Sequence, residues 1–268
     1  MAWARARLLD VLEPSPDRIE PPCPYFGPEA CGGCQWQHIA YPRQAELKQQ
    51  IVADQLRRLG RIAVPPVADI VVLADPAAED DAPTLQEYGY RNNVQFALTP
   101  EGRLGFRRAA SHDVVPVEHC LLLDPRLDDL HASLDVAWPE LIGVDLRAGT
   151  EVDDTLILFE AGGDEAPELE IGLPAACALL TRRGLTPLIG EPWVFIEVLG
   201  RRYRVSAESF FQVNTIGAAA LVGMGATVNL QVKIGEHARI GNGATVKRDV
   251  PENGIVHAGT VWPPDSSQ

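Results

Sequence analysis

The sequence predicts an α+β protein: a mixed, mainly antiparallel β domain carrying a cysteine-rich loop and a few helices, then a short left-handed parallel β-helix. Three patterns predict it. Residues 90–117 alternate apolar and polar side chains on either side of a "PEG" turn, the period-two signature of an antiparallel hairpin. Leu47, Ile51, Leu56 and Leu59 fall near one face of a helix that Gly60 can stop. Ile216, Val222, Val228, Ile234, Ile240 and Val246 stand six residues apart, with glycine following at Gly217, Gly223, Gly235 and Gly241. A period of six stacks short parallel strands into a triangular coil whose interior the aliphatics fill.

In chain order, "ARARLLDVLEPSPDR" reads as one strand and an exit turn. The prolines, paired glycines and three cysteines of "PPCPYFGPEACGGCQWQHIAYPRQ" read as a loop. The helix over "QAELKQQIVADQLRRLG" follows, then an acidic Pro/Ala-rich linker, "ADPAAEDDAPTLQE". After the hairpin, "DPRLDDLHASL" predicts a short helix. "DLRAGTEV", "DTLILFEA", "PWVFIEVLG" and "RRYRVSAESFFQV" predict strands.

At 268 residues and 46% hydrophobic, the chain can bury a core of two domains or more. It has no apolar run of membrane-spanning length. The N-terminus lacks the apolar core and cleavage site of a signal peptide. A cytoplasmic, reducing setting follows, in which five cysteines serve as metal or redox ligands rather than disulfides. The net charge of −14 speaks against generic nucleic-acid binding. The charge is uneven, however: eight acids and no Lys or Arg lie between Glu151 and Leu180. Arginines cluster at 57, 58 and 61, at 103, 107 and 108, and at 201, 202 and 204. Such clusters are ordinarily solvated faces.

Cys23, Cys31 and Cys34 form C-x7-C-G-G-C, and Cys120 lies far downstream in "PVEHCLLLDP". Three near thiolates and one distant one suit either a zinc site or an iron–sulfur cluster. Four unrelated buried cysteines are the plainer alternative, but a Pro/Gly-rich loop offers little core to hide them.

These residues carry a resemblance. "CPYFGPEACGGCQWQHIAYPRQAELKQ" resembles the iron–sulfur signature of the S-adenosylmethionine-dependent RNA uracil-C5 methyltransferases. "YRNNVQFAL", "LGFRRAASHDVVPVEHCLLLDP" and "VSAESFFQVN" resemble three further blocks of that family, in its order. The resemblance covers residues 4–215. It implies a [4Fe–4S] cluster on Cys23, Cys31, Cys34 and Cys120, with a structural or RNA-contacting role. It also implies S-adenosylmethionine at Gln212, the flipped target base near Phe210, RNA contact at Arg91, and rRNA or tRNA as partner. Four segments follow: 1–20, the last strand of an RNA-binding β-barrel; 21–205, the cluster loop, helix and central RNA-binding domain; 206–215, the start of a methyltransferase domain; and 216–268, the β-helix fragment and tail.

Methylating C5 of uracil needs a cysteine thiolate to add at C6 and a base to remove the C5 proton. In the family these parts follow the "FFQVN" block, together with a glycine-rich cofactor loop. Here no cysteine occurs beyond Cys177, and the period-six repeat stands where that domain would begin. Cys177 is the one thiol outside the predicted cluster, upstream of the cofactor motif, and reads as a small core residue. The chain is thus expected to be catalytically incomplete, with no catalytic residue assigned. The alternative is a non-catalytic iron–sulfur RNA-binding module.

The tail, "IGEHARIGNGATVKRDVPENGIVHAG", resembles the end of hexapeptide acyltransferases that use acetyl-coenzyme A. That resemblance implies a possible homotrimer. His237 and His257 are the candidate bases, and neither matches the usual catalytic position. An acyltransferase relative is the third reading.

Overall fold

The computed structural model describes residues 8–68, 70, 87–163, 165, 172, 174–198, 200–215, 227–228, 238–241, 244–257 and 259–263. Its centre is a seven-stranded sheet in the order β3-β2-β1-β4-β5-β6-β7. The strands are β1 (Asn93–Leu98), β2 (Leu104–Arg107), β3 (Val114–Pro116), β4 (Leu141–Ala148), β5 (Thr155–Ala161), β6 (Ala176–Thr181) and β7 (Gly184–Ile189). Every pairing is antiparallel except that of β5 with β6.

β5 explains why this sheet has two covered faces. Its "TLILFEA" is almost continuously apolar, as a strand buried on both sides requires. Ile157 and Phe159 point into a core shared with Val94, Phe96, Val144 and Leu146, and with Leu127 and Leu130 of helix α2 (Pro125–Ser133). Leu156 and Leu158 point the other way, into a second core with Ala178 and the inward side of a hairpin, β8 (Trp193–Val198) and β9 (Arg201–Ser206). The body is therefore helix, sheet and hairpin in three layers. Asp124 caps α2 by accepting a hydrogen bond from the Arg126 N–H, and Pro125 suits the first helical position. Arg126 also donates to the Glu151 and Gly149 carbonyls, tying α2 to the β4–β5 turn.

Helix α1 (Tyr41–Arg58) forms where helical spacing predicts it and ends beside Gly60. Its predicted apolar face is only partly covered: none of its residues is buried, Leu47 and Leu56 are half-buried, and Ile51 and Leu59 are exposed. Periodicity marks an amphipathic helix but cannot supply the surface that buries it.

Several boundaries differ from the sequence reading. Residues 8–20 form no strand, only an isolated bridge between Arg18 and Ile39, and Leu9 is 90% exposed; with no neighbouring strand, a lone segment has nothing to pair with. Residues 1–7 lie outside the described set. β4 spans Leu141–Ala148 rather than 145–152, and it ends there because Gly149–Asp154 makes the turn into β5. β9 stops at Ser206, and residues 207–213 continue as irregular chain. The β6–β7 hairpin was not predicted: β7 is largely exposed and carries Pro187, so its pattern is weak.

In the tail, β10 (Thr227–Val228), β12 (Thr245–Val246) and β14 (Val261–Trp262) pair in parallel, as do β11 (Arg239–Ile240) and β13 (Ile255–Val256). Val228 stands beside Val246, eighteen residues on, and Ile240 beside Val256, sixteen on. Ile240, Ala244, Val246, Val250 and Val256 make a separate small core. Ile216, Val222, Ile234 and His237 lie outside the described residues, as does most of the acidic linker. Among the described residues, no helix is long and apolar enough to cross a membrane.

Candidate cysteine site and the segment beside it

Cys23, Cys31, Cys34 and Cys120 line one small cavity of about 50 Å³, together with Arg91 and Gln37. Local contacts bring them there. The loop is laid against the end of β2 by a Cys31–Arg108 bridge and by the Gly32 N–H donating to the Arg107 carbonyl at 3.0 Å. A Cβ on Gly32 would come within 2.8 Å of both Ala109 N and Arg107 O, so only glycine permits this approach. Gln37, 8% exposed, accepts from the Cys23 N–H at 3.3 Å. Cys120 arrives from the far side, after β3. Its N–H donates to Asp128 Oδ1 of α2 at 2.8 Å, and the Tyr25 hydroxyl accepts from the Glu118 N–H at 3.0 Å.

Burial pushes the thiols of Cys31, Cys34 and Cys120 up, and the neighbouring cysteines add to each; Cys120 reaches about 11. All five cysteines are free. Among the described residues, no group of three or more His, Cys, Asp or Glu is arranged to hold a metal ion. Arg91 is half-buried in the cavity wall, with Nε buried and unpartnered. Its positive charge opposes the rise at Cys34.

The backbone of residues 91–92 joins this cavity to the segment carrying Gln212. The Arg91 N–H donates to the Leu122 carbonyl, two residues from Cys120, and Arg91 also bridges Asn214. The Asn92 N–H donates to the Val213 carbonyl. Asn92 Nδ2 donates to the Gln212 carbonyl at 3.1 Å and to Thr215 Oγ1 at 2.7 Å. Upstream, buried Arg147 donates to the Ser209 and Ala207 carbonyls at 2.7 and 3.2 Å. Residues 207–215 are thus pinned at both ends, and between the pins Phe210 is 65% exposed and the Gln212 side chain is exposed. An open cleft of about 750 Å³ shares Cys34, Gln37 and Leu122 with the cysteine cavity and reaches Asn214. Tyr41, Tyr88, Tyr90 and Trp36 line it.

The structure therefore gathers six of the predicted site residues around one hub. Cys23, Cys31, Cys34, Cys120 and Arg91 meet at the cavity, and Gln212 lies on the irregular segment hydrogen-bonded to residues 91–92. Phe210 stays at the surface. Cys177 is 0% exposed in β6, and burial lifts its thiol to about 11, the opposite of an activated nucleophile. His257 is exposed in the tail, its carbonyl accepting from the Thr260 hydroxyl. Sequence reasoning missed Arg147 and Asn92, which hold the segment; a polar residue inside or just before a strand that otherwise runs to the core was the available signal.

No family model matches the chain. It is 34% identical over 223 residues to a protein of Streptomyces avermitilis named an uncharacterized RNA methyltransferase, covering 82% of this chain and 51% of that protein. A Streptomyces coelicolor protein so named is 36% identical over 82% of this chain and 48% of its own length. One from Aquifex aeolicus is 31% identical over 79% and 50%. The chain thus spans about half the length of the curated relatives it matches. The Pyrococcus abyssi tRNA (uracil-54, C5)-methyltransferase, solved with S-adenosyl-L-homocysteine, shares the fold with a TM-score of 0.51 at 17% identity, over 84% of this chain and 55% of that one. Over about four-fifths of its length, the chain is a sequence relative of proteins named RNA methyltransferases and folds like a solved tRNA methyltransferase.

Proposed function

We propose that this chain is the RNA-facing portion of an S-adenosylmethionine-dependent RNA uracil-C5 methyltransferase, acting on rRNA or tRNA in the cytoplasm, with a [4Fe–4S] cluster on Cys23, Cys31, Cys34 and Cys120. The observation that carries the proposal is the meeting of three cysteines of one loop with Cys120, far downstream in the chain, in one cavity beside the Gln212 segment. The donor set fits the group. Thiolates ligate iron–sulfur clusters, and Arg91, whose buried Nε has no partner, lines the cavity, where an anionic cluster would place negative charge. A single zinc draws every sulfur to about 2.3 Å from one point. A cubane gives each of four thiolates its own iron. The cluster would act as a staple for a loop that buries little of itself.

In this reading Gln212 helps bind the methyl donor, and Phe210 offers an exposed ring to the extruded base. The chain supplies no thiolate for attack at C6: four cysteines belong to the cavity and Cys177 is sealed in the core. Methyl transfer needs a thiolate at C6 that none of these five cysteines provides in this reading. The alternative reading is a non-catalytic iron–sulfur RNA-binding module. The parallel tail strands at offsets of eighteen and sixteen residues support a β-helical coil, through which a homotrimer could form. Only that tail favours the acyltransferase reading.

Anaerobically purified protein should be brown, with close to four irons per chain. One zinc and no iron would refute the cluster. Salt-sensitive RNA binding supports the RNA reading, and no binding at low salt refutes it. Labelled S-adenosylmethionine should give no methylated RNA with the chain alone; clear incorporation would show a nucleophile that this reading lacks. Sedimentation tests the trimer.

A further inference from the structure

We propose that the outward face of the β8–β9 hairpin is a contact surface for single-stranded RNA, anchored by Arg202 and Arg204. The inference rests on the RNA reading above and adds the place where the strand lies.

The chain carries a net charge of −14, yet β9 opens Arg201-Arg202-Tyr203-Arg204, all exposed. Exposed arginines by themselves mean little; the arrangement behind these two is what distinguishes them. Val194, Ile196 and Val205 face inward and are buried against Leu156, Leu158 and Ala178 of the main sheet. Side chains alternate along a strand, so Trp193, Phe195, Arg202 and Arg204 share the opposite face. The register sets Arg204 opposite Phe195 and Arg202 opposite Glu197. Each arginine leans diagonally onto a ring: Arg202 Cζ lies 3.8 Å from the centre of Phe195, and Arg204 Cζ lies 4.8 Å from that of Trp193.

A guanidinium held over a ring has lost much of its rotamer freedom before a ligand arrives, and its in-plane donors match a phosphate. Two Arg–aromatic stacks side by side also offer planar surface on which unpaired bases can lie. An acidic peptide would use the charge and leave the planes idle. The platform is stiff. The Phe195 N–H donates to Asp154 Oδ2 at 2.6 Å, its carbonyl accepts from the Thr150 N–H at 2.8 Å, and the Glu197 N–H donates to Thr150 Oγ1 at 2.7 Å. Little ordering is left for binding to require.

Two carboxylates temper the positive charge. Glu197 shares the face, and Glu151 pairs with Arg202 at 3.0 Å in an exposed contact that a phosphate can replace. No carboxylate among the described residues pairs with Arg204. β9 then runs within four residues into exposed Phe210, so a strand on this face approaches the aromatic assigned to the target base.

The test uses the full chain and a fluorescein-labelled, uridine-rich single-stranded RNA of twelve nucleotides, followed by anisotropy across a salt series. The R202Q/R204Q double variant should bind at least about tenfold more weakly. The slope of log K against log salt should shrink by roughly 1.4, two phosphate contacts at about 0.7 each. The R57Q variant, whose parent side chain pairs with Asp54 on α1, serves as the control and should match wild type. R202K/R204K should keep the slope and lose affinity, because ammonium groups keep the charge without the planar stack. Wild-type affinity and slope in the double glutamine variant would overturn the inference while leaving the RNA reading standing. Full rescue by lysine would overturn the stacking half of it. No RNA binding by wild type would overturn the functional reading and this inference together.

Discussion

The seven-stranded sheet and the cysteine loop that leans on its β2 end are neighbours held by different forces. The sheet buries large side chains on both faces, with Phe96, Leu146, Ile157 and Phe159 on one and Leu156 on the other all but inaccessible to water. Between residues 21 and 40 only Gln37 is buried, and that loop rests on a handful of hydrogen bonds and one close glycine contact. Removal of apolar area from water is an ample and forgiving source of stability. A loop of prolines, glycines and cysteines has little of it and depends on position. The difference suggests why the proposed cluster sits in the loop: a metal-ligand staple does its work where burial cannot.

The largest blow to the sheet should come from Phe96→Ala. That ring stacks on Phe106 at 5.0 Å and on the buried His131 at 4.2 Å, so truncation should cost about 3–5 kcal/mol in a urea titration. A loss near zero would mean that the core is looser than its burial implies.

Arg147→Met comes next, at about 2–4 kcal/mol, because the Ser209 and Ala207 carbonyls lose their donor. Hydrogen exchange should quicken across residues 207–215 while β4 and β5 stay protected; uniform loss would deny Arg147 its local role.

The loop should answer to a different change. Gly32→Ala drives a Cβ into the backbone of residues 107 and 109, costing about 1–3 kcal/mol. The measurable result is lower iron content on purification, with the sheet's far-UV dichroism intact. Full iron occupancy would show that the loop can yield.

The smallest effect separates the two regions by pH. Burial raises the Asp145 carboxyl on β4 to about 6, with nearby Arg147 pulling the other way. The folded chain then holds this proton more tightly than the unfolded chain does. Stability therefore falls as pH rises from about 4 to about 6 and stays at the lower level above. Asp145→Asn removes that slope, so its urea midpoint should gain on wild type across this window. Parallel curves would refute the shift.

Much of this was legible along the chain. The α1 and α2 helices, the first hairpin, β5 and β8 all follow from period and caps, because those signals are local. β6 and β7 did not, since Pro187 and an exposed face blur the alternation that marks a strand. The apolar side of α1 was legible from its spacing, whereas its degree of cover was not. At the site, the cysteines declared themselves by type and spacing. Arg147 and Asn92 did not, because each acts on a segment more than fifty residues away that no local pattern connects to it.

Residue chemistry and spacing alone decided which atoms could serve: soft thiols in a glycine-rich loop, a glutamine in an aromatic-polar motif, small aliphatics at a period of six. Only the folded chain decided which of them meet. Close contact between Cys120 and the loop, or between residues 91–92 and 212–215, depends on strands pairing across long separations, and the free energy of that pairing comes from a core that no single stretch of sequence contains.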